Sequence, residues 1–413
     1  MKRILVDSTS YGTRIGIVED GILMELVYEK NNSLPIVGNI YVGKIMNVLP
    51  GMQAAFVDIG REKNAFLYYG DDKDENGNPI KPKAGTDVLV QVEKAEIGNK
   101  GAVLTKKISF PGKFLVIIPG DSKIGISKKI TDDDERQRIK EIANELLPEN
   151  YGIIIRTDGE GKSYEVYEKE IKMLLSRSKA VSKRADYIKA PVLLYIEING
   201  VEKVVRDFFN DDIDEFVVNN EEDYNIILKL CDEMGFGSEK IKLYKDEVPL
   251  FLNYFVESQA RAAFDKHVWL KSGGFIIIEQ TEACVVIDVN TGKFIGKADL
   301  QKTILKTNLE AAAEIAHQLR LRNLNGMIIV DFIDMKAESD RKLLQKTLEE
   351  AVAKDRLQTI VVGMTELGLM QMTRKKKRQS IMHLMTKTCS VCSGTGRIPC
   401  FDVVSEENVK YKV

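Results

Sequence analysis

Two short stretches hold the acidic residues best placed for chemistry: Val285-Val-Ile-Asp-Val-Asn290 and Val330-Asp-Phe-Ile-Asp-Met335. Both are apolar, β-branched runs of the kind that form buried strands, and each ends in carboxylates. An unpaired buried carboxylate is costly, so such a strand end needs a basic neighbour or a bound cation. Side chains alternate faces along a strand, which points Asp288 and Asn290 the same way. Asp331 and Asp334 are an odd number of residues apart and are expected to point oppositely, so only one need face Asp288. The expected partner is Asp334, which lies beyond the strand end, where the chain is free to enter a ligand crevice. Two carboxylates and an amide on adjacent strand ends suit Mg2+, which takes few protein ligands and keeps several waters. A lone Asp would more simply cap a turn or pair with Lys or Arg; two coincident strand ends favour metal.

Other residues offer binding chemistry. Arg156 and Thr157 follow an apolar run and present a forked cation beside a hydroxyl, a set suited to a terminal phosphate, with Lys128 and Lys129 as added charge. Gly159-Glu-Gly-Lys-Ser163 imitates a phosphate loop, but the glycine needed five residues before Gly161 is Arg156, so that reading fails. Arg374-Lys-Lys-Lys-Arg378 is a basic run that on a helix would cover most of the circumference. Cys389-Ser-Val-Cys392 has the spacing of two thiolates on one Zn2+; a structural site needs four ligands, and Cys400 and His383 could complete a weak internal one, or the pair could be free thiols. The chain has only three histidines, His267, His317 and His383, which weakly supports any paired-histidine mechanism. Asp7 reads as a turn residue.

The elements that must position these residues fall into several units. A chain of 413 residues is too long for one core and predicts roughly three or four structural units. Residues 1 to about 36 alternate as a strand meander turned at Asp20-Gly21. Five β-rich pieces between Asn39 and Ile108, with glycines at the bends, predict a small barrel of the oligonucleotide-binding type. Phe56 and Phe66 fall in its second and third strands, where exposed aromatics could stack unpaired bases, although a barrel phenylalanine is more simply core. Lys100 is a plausible phosphate contact nearby. Phe110 to about Lys189 mixes strands with charged helices, and Pro191 to about Ala263 returns to strands and helices that could complete the first meander. From Phe275 onward the pattern is βαβαβ with parallel strands, whose carboxyl ends are where open α/β sheets bind ligands.

Lys and Arg total 60 against 62 Asp and Glu, so nucleic-acid binding would depend on local basic patches. Five unevenly spaced cysteines do not make a secreted disulfide framework, and a reducing cytoplasm fits better. No apolar run approaches the roughly 20 residues that span a bilayer.

The motifs Thr307-Asn-Leu-Glu-Ala-Ala312, Arg320-Leu-Arg-Asn-Leu-Asn-Gly326 and Val330-Asp-Phe-Ile-Asp-Met335, with Gly274 to Asn290, closely resemble the ribonuclease E/G family. The resemblance continues in Ala54-Ala-Phe-Val-Asp-Ile-Gly60, Gly98-Asn-Lys-Gly-Ala102, Arg156 to Ser163, Ile241 to Phe251 and Cys389 to Gly396, and so covers nearly the whole chain. It implies a multidomain α+β and α/β protein: a ribonuclease H-like subdomain (1–37 and 191–263), an inserted S1 barrel (38–108), a 5′-sensor (109–190), a DNase I-like catalytic subdomain (264–386) and a zinc-link (387–400). It further implies Asp288 and Asp334 as Mg2+ ligands and Asn290 as an active-site amide. Phe56 and Phe66 match RNA-holding aromatics, Arg156 and Thr157 a 5′-monophosphate pocket, and Arg374 a position near the substrate. The family joins two chains through one zinc shared by their cysteine pairs, which implies a homodimer linked by Cys389 and Cys392; here Ser390 stands where a proline is usual. The expected activity is Mg2+-dependent hydrolysis of single-stranded RNA, leaving a 5′-phosphate and a 3′-hydroxyl, in rRNA processing and mRNA decay, nearest the ribonuclease G end of the family. The rival expectation is a non-catalytic RNA-binding protein with a vestigial metal site.

Overall fold

The computed structural model describes residues 1–30, 36–71, 80–96, 100–198, 200–234, 237–292 and 300–398. Cys400 lies outside them. The chain divides into two compact units, one comprising Met1–Asp7, Arg14–Tyr28 and Asp246–Val413, the other Ser8–Thr13 and Glu29–Lys245.

The second unit contains the barrel. Its strands are Ile40–Leu49, Ala54–Asp58, Ala65–Tyr68, Asp87–Lys94 and Val103–Thr105. The first pairs with both Ala54–Asp58 and Asp87–Lys94, which closes the sheet. The barrel leaves no room for a side chain at Gly43, where an added Cβ would sit 2.5 Å from Val57 Cγ1 and 3.2 Å from the Asp58 carbonyl oxygen. Ala55, Val57, Ala65, Leu67, Val90, Val92 and Leu104 fill the interior, following the two-residue alternation of each strand.

Beyond the barrel in the same unit, a four-stranded sheet is ordered Ile124–Ile126, Tyr151–Ile155, Leu115–Pro119, Phe110–Pro111. It packs Leu115, Ile117, Ile153 and Ile155 with Ile139 and Ala143 of helix Asp133–Leu146 and Tyr167, Ile171 and Leu174 of helix Tyr164–Ala185. Asp132 caps the first helix by accepting from the Asp134 amide at 3.0 Å. Strands Ile124–Ile126 and Tyr151–Ile155 are parallel, so Ser127 and Arg156 leave the same sheet edge.

The first unit is built on a six-stranded sheet ordered His267–Trp269, Phe275–Gln280, Cys284–Asn290, Gly326–Asp331, Leu369–Arg374, Thr359–Met364. Helices Leu300–Leu321 and Glu338–Ala353 cover one face, burying Ile276, Ile278, Val285, Ile287, Val289, Ile328, Val330, Met370 and Met372. The opposite face is open, with Val286 and Met327 exposed.

This sheet corrects the all-parallel expectation. Only Cys284–Asn290 and Gly326–Asp331 are parallel neighbours, joined by the long helix. Thr359–Met364 is separated from them by Leu369–Arg374, a strand the sequence reading missed, antiparallel to both neighbours. A tight turn explains it: the Thr365 amide donates to the Leu369 carbonyl at 2.8 Å and Gly368 takes φ +85°. The basic run 374–378 consequently begins at a strand end rather than on a helix. Asp7 is likewise no turn residue. It is buried in strand Lys2–Ser8 and paired with Arg14 at 2.5 Å. His317 is structural, since its ring bonds the Leu23 carbonyl at 2.9 Å and Glu314 at 3.1 Å.

Candidate functional site

In strand Cys284–Asn290 the residues Val285, Ile287 and Val289 face the helices, which leaves Asp288 and Asn290 on the open face. The Asn290 amide donates to Asp288 Oδ2 at 2.8 Å, the same-face arrangement expected from alternation. In the neighbouring strand Ile328 and Val330 face the helices, so Asp331 also stands on the open face. The parallel register places Asp331 directly beside Asp288. The expectation that Asp331 points away is therefore wrong. It counted faces from Asp334, but strand Gly326–Asp331 ends at Asp331, and alternation does not carry past that point.

Asp334 is exposed, between buried Phe332 and Met335. The intervening loop is pinned by Asn308, a buried helix residue whose amide donates to the Ile333 carbonyl at 2.8 Å and accepts from the Ile333 amide at 3.1 Å. Sequence reasoning passed over Asn308; its signal was a polar side chain on the buried stripe of an amphipathic helix. Among the described residues Asp288, Asp331 and Asp334 have no ion-pair partner. Nor do three or more His, Cys, Asp or Glu converge on a metal-sized site among them. The donor set is thus a pair of carboxylates that form no ion pair among the described residues. It fits a hydrated hard cation such as Mg2+, which needs only one or two protein carboxylates.

On the barrel, Phe56 and Phe66 are half-buried cross-strand partners whose neighbours Ala55, Val57, Ala65 and Leu67 are buried. Both phenyl rings accordingly face outward rather than into the core. Their centroids lie 6.3 Å apart at 73°, an edge-to-face pair with accessible π surface. Lys100 is exposed.

Arg156 donates to the Gly112 carbonyl at 2.7 Å and to Asp207 at 3.1 Å. Asp207 also holds Arg206 at 3.1 Å, and Arg206 reaches the buried carboxylate of Glu197. Burial alone would raise the Asp207 carboxyl, but the two arginines more than offset it and hold it below the ordinary carboxylate range. Burial raises Glu197 despite Arg206. Thr157, exposed, shares a hydrogen bond with Ser127 Oγ at 2.9 Å, and Lys128 and Lys129 are exposed beside it. Arg156, Thr157, Ser127 and the two lysines thus gather at one sheet edge. Asp207 and Ser127 had no local signal in the sequence, since only the fold brings them to Arg156 and Thr157.

Arg374 requires a correction. It is 3% exposed, bonded to Asp355 at 2.6 Å and to the Asn323 side chain and Leu324 carbonyl at 2.9 Å each. A guanidinium so enclosed anchors the strand Leu369–Arg374 and is not available to a phosphate; its place at the head of a basic run disguised it.

Cys389 is exposed and Cys392 half-buried. The Gly396 amide donates to Cys392 Sγ at 3.3 Å, and this bond, with others from Gly394 and Cys389, pulls the Cys392 thiol down. Ser393, Gly394 and Gly396 all take positive φ, so the chain folds tightly around the sulfur.

Together these features define the class of the protein: a mixed α/β chain that combines a closed five-stranded barrel with an acidic, open sheet face. Residues 109–377 match the sequence model of the ribonuclease E/G family. The chain is 40% identical to ribonuclease G of Haemophilus influenzae, over 98% of this chain and 85% of that one. It is 39% identical to ribonuclease G of Escherichia coli K12 over 98% and 86%, and 38% identical to ribonuclease E of the same organism over 96% of this chain and 39% of that longer protein. The chain belongs to the ribonuclease E/G family.

Proposed function

We propose that this protein is an endoribonuclease of RNA processing and decay, hydrolysing single-stranded RNA at the open face of the six-stranded sheet. The observation that carries the reading is the in-register pair Asp288 and Asp331 with Asn290 bonded to Asp288. Asp288 and Asp331 would hold Mg2+, with Asp334 at the loop beyond; when bound, the ion supplies charge neutralisation at the scissile phosphate and a water of lowered pKa. Asn290 fixes one oxygen of Asp288 and so orients the carboxylate. The outward rings of Phe56 and Phe66 give the barrel, read here as an S1 domain, sequence-tolerant stacking sites, with Lys100 as a phosphate contact.

Arg156 and Thr157 would bind a 5′-terminal phosphate, making residues 109–190 a 5′-sensor. Residues 1–37 with 191–263 and residues 264–386 correspond in this reading to the ribonuclease H-like and DNase I-like subdomains. The knuckle around Cys392 supports a zinc-link in which two chains share one Zn2+ through Cys389 and Cys392, giving a homodimer. No helix among the described residues is long and apolar enough to cross a membrane.

The test is cleavage of one unstructured RNA, prepared with a 5′-monophosphate, triphosphate or hydroxyl, with and without Mg2+. Mg2+-dependent internal cleavage, fastest on the monophosphate, is expected, and Arg156→Ala should erase that advantage while sparing the 5′-hydroxyl substrate. Binding without cleavage would favour the RNA-binding rival; equal slowing of all three substrates by Arg156→Ala would remove the sensor. Native mass spectrometry should find half a zinc per chain, and a dimer lost in Cys389→Ser/Cys392→Ser; one zinc per monomer would overturn the shared site.

A further inference from the structure

The open face of the catalytic sheet carries more than carboxylates. Strand His267–Trp269 pairs with Phe275–Gln280 so that Trp269 stands opposite Phe275 and His267 opposite Ile277. Phe275 in turn stands opposite Asn290, and Ile277 opposite Asp288. Val268 and Ile276 belong to the helix-covered core, so His267, Trp269, Phe275, Asn290 and Asp288 all project from the open face. Two rows therefore cross the sheet: Trp269, Phe275, Asn290 and His267, Ile277, Asp288, Asp331.

The three rings form a cluster. Trp269 lies 5.3 Å from Phe275 at 62°, and His267 lies 5.5 Å from Phe275 at 46°. A cross-strand aromatic pair steadies a hairpin by less than about 1 kcal/mol, which would account for contact between the rings. It does not account for an indole left 65% exposed. Large aromatics exposed in a cluster mark contact surfaces, and an indole face is a stacking partner for any base. With strands about 4.8 Å apart, Trp269 lies about 10 Å across the sheet from Asn290, close enough for a nucleotide beside the scissile phosphate.

We propose that Trp269 and Phe275, with His267 at their side, form a base-stacking platform for a nucleotide flanking the phosphodiester cleaved at Asp288 and Asp331. The inference rests on the reading of that carboxylate pair as the cleavage site. It adds a second aromatic contact, on the catalytic unit itself, to the pair on the barrel.

Trp269 is the only tryptophan in the chain, so its fluorescence reports this site alone. Titrating the Asp288→Asn variant with a short unstructured RNA should quench the indole. The same RNA with one abasic position beside the mapped cleavage site should bind with little quenching. In otherwise intact enzyme, Trp269→Ala should raise KM between about fivefold and about a hundredfold with kcat nearly unchanged, and Trp269→Phe should restore most of the loss. An unquenched indole, or an equal KM effect on intact and abasic RNA, would overturn the proposal. So would a change in oligomeric mass with KM unaltered, which would make the patch a protein contact. Continued cleavage by Asp288→Asn would instead defeat the carboxylate reading, while quenching would still report RNA on the platform.

Discussion

The open face of the catalytic sheet and the charged cluster behind Arg156 treat acidic groups in opposite ways. Around Arg156, Asp207 is answered by two arginines and Glu197 by Arg206. Glu170 accepts three backbone amides, from Lys113, Phe114 and Leu115 at 2.6 to 3.1 Å, although burial still raises its carboxyl. On the sheet, among the described residues, Asp288 accepts from the Asn290 amide alone and Asp331 has no ionic partner. Charge answered from within sets geometry, here the direction of one guanidinium. Charge left unpaired on an open face is free to take a cation from outside, and that freedom points to the chemistry.

The comparison breaks first at the carboxylates. Asp288→Asn and Asp331→Asn should each reduce cleavage to background while RNA affinity, measured by filter binding, changes little, because most phosphate contacts lie elsewhere. Full turnover by Asp331→Asn would show that register does not choose the ligand. Asp334→Asn tests the alternative partner, and its rate should stay within about tenfold of wild type.

Arg374→Met should remove the guanidinium from buried Asp355, Asn323 and the Leu324 carbonyl, lowering stability by about 1 to 3 kcal/mol in urea unfolding. RNA affinity measured well below the melting temperature should be unchanged; a selective affinity loss in a stable variant would return Arg374 to the RNA site.

For Asp207, a carboxyl depressed in the folded state stabilises above its unfolded pKa of about 4, and that stability is lost as pH falls. The melting temperature of Asp207→Asn should therefore trail wild type most at neutral pH, with the gap shrinking below about pH 4. A gap constant with pH would mean that the arginines do not depress Asp207.

Phe56→Ala should weaken single-stranded RNA binding by about 1 to 3 kcal/mol with a normal melting curve, since the ring faces outward. A collapsed melting curve would restore the core reading.

Much of this was legible in the sequence because it rests on local periodicity. The five barrel strands fall close to where glycines and alternation put them, and Asp288 and Asn290 share a face because two-residue alternation within a strand is reliable. What failed was non-local. Strand Leu369–Arg374 is too mixed in composition to announce itself, and its insertion between two parallel-running strands depends on a turn at Gly368. Asp331 was set aside because the end of its strand could not be located to one residue, and one residue decides the face. Arg374 looked like a surface cation because Asp355, its partner, lies nineteen positions away.

The alternation that buries Val285, Ile287 and Val289 on one strand, and Ile328 and Val330 on the next, also determines which carboxylates meet. Hydrophobic packing therefore enforces the reading frame of the site: removing one residue upstream within either strand would drive a carboxylate towards the helices or valines towards water. Apolar side chains of similar volume can be exchanged along these strands, whereas a one-residue change of length would turn a carboxylate away from the site.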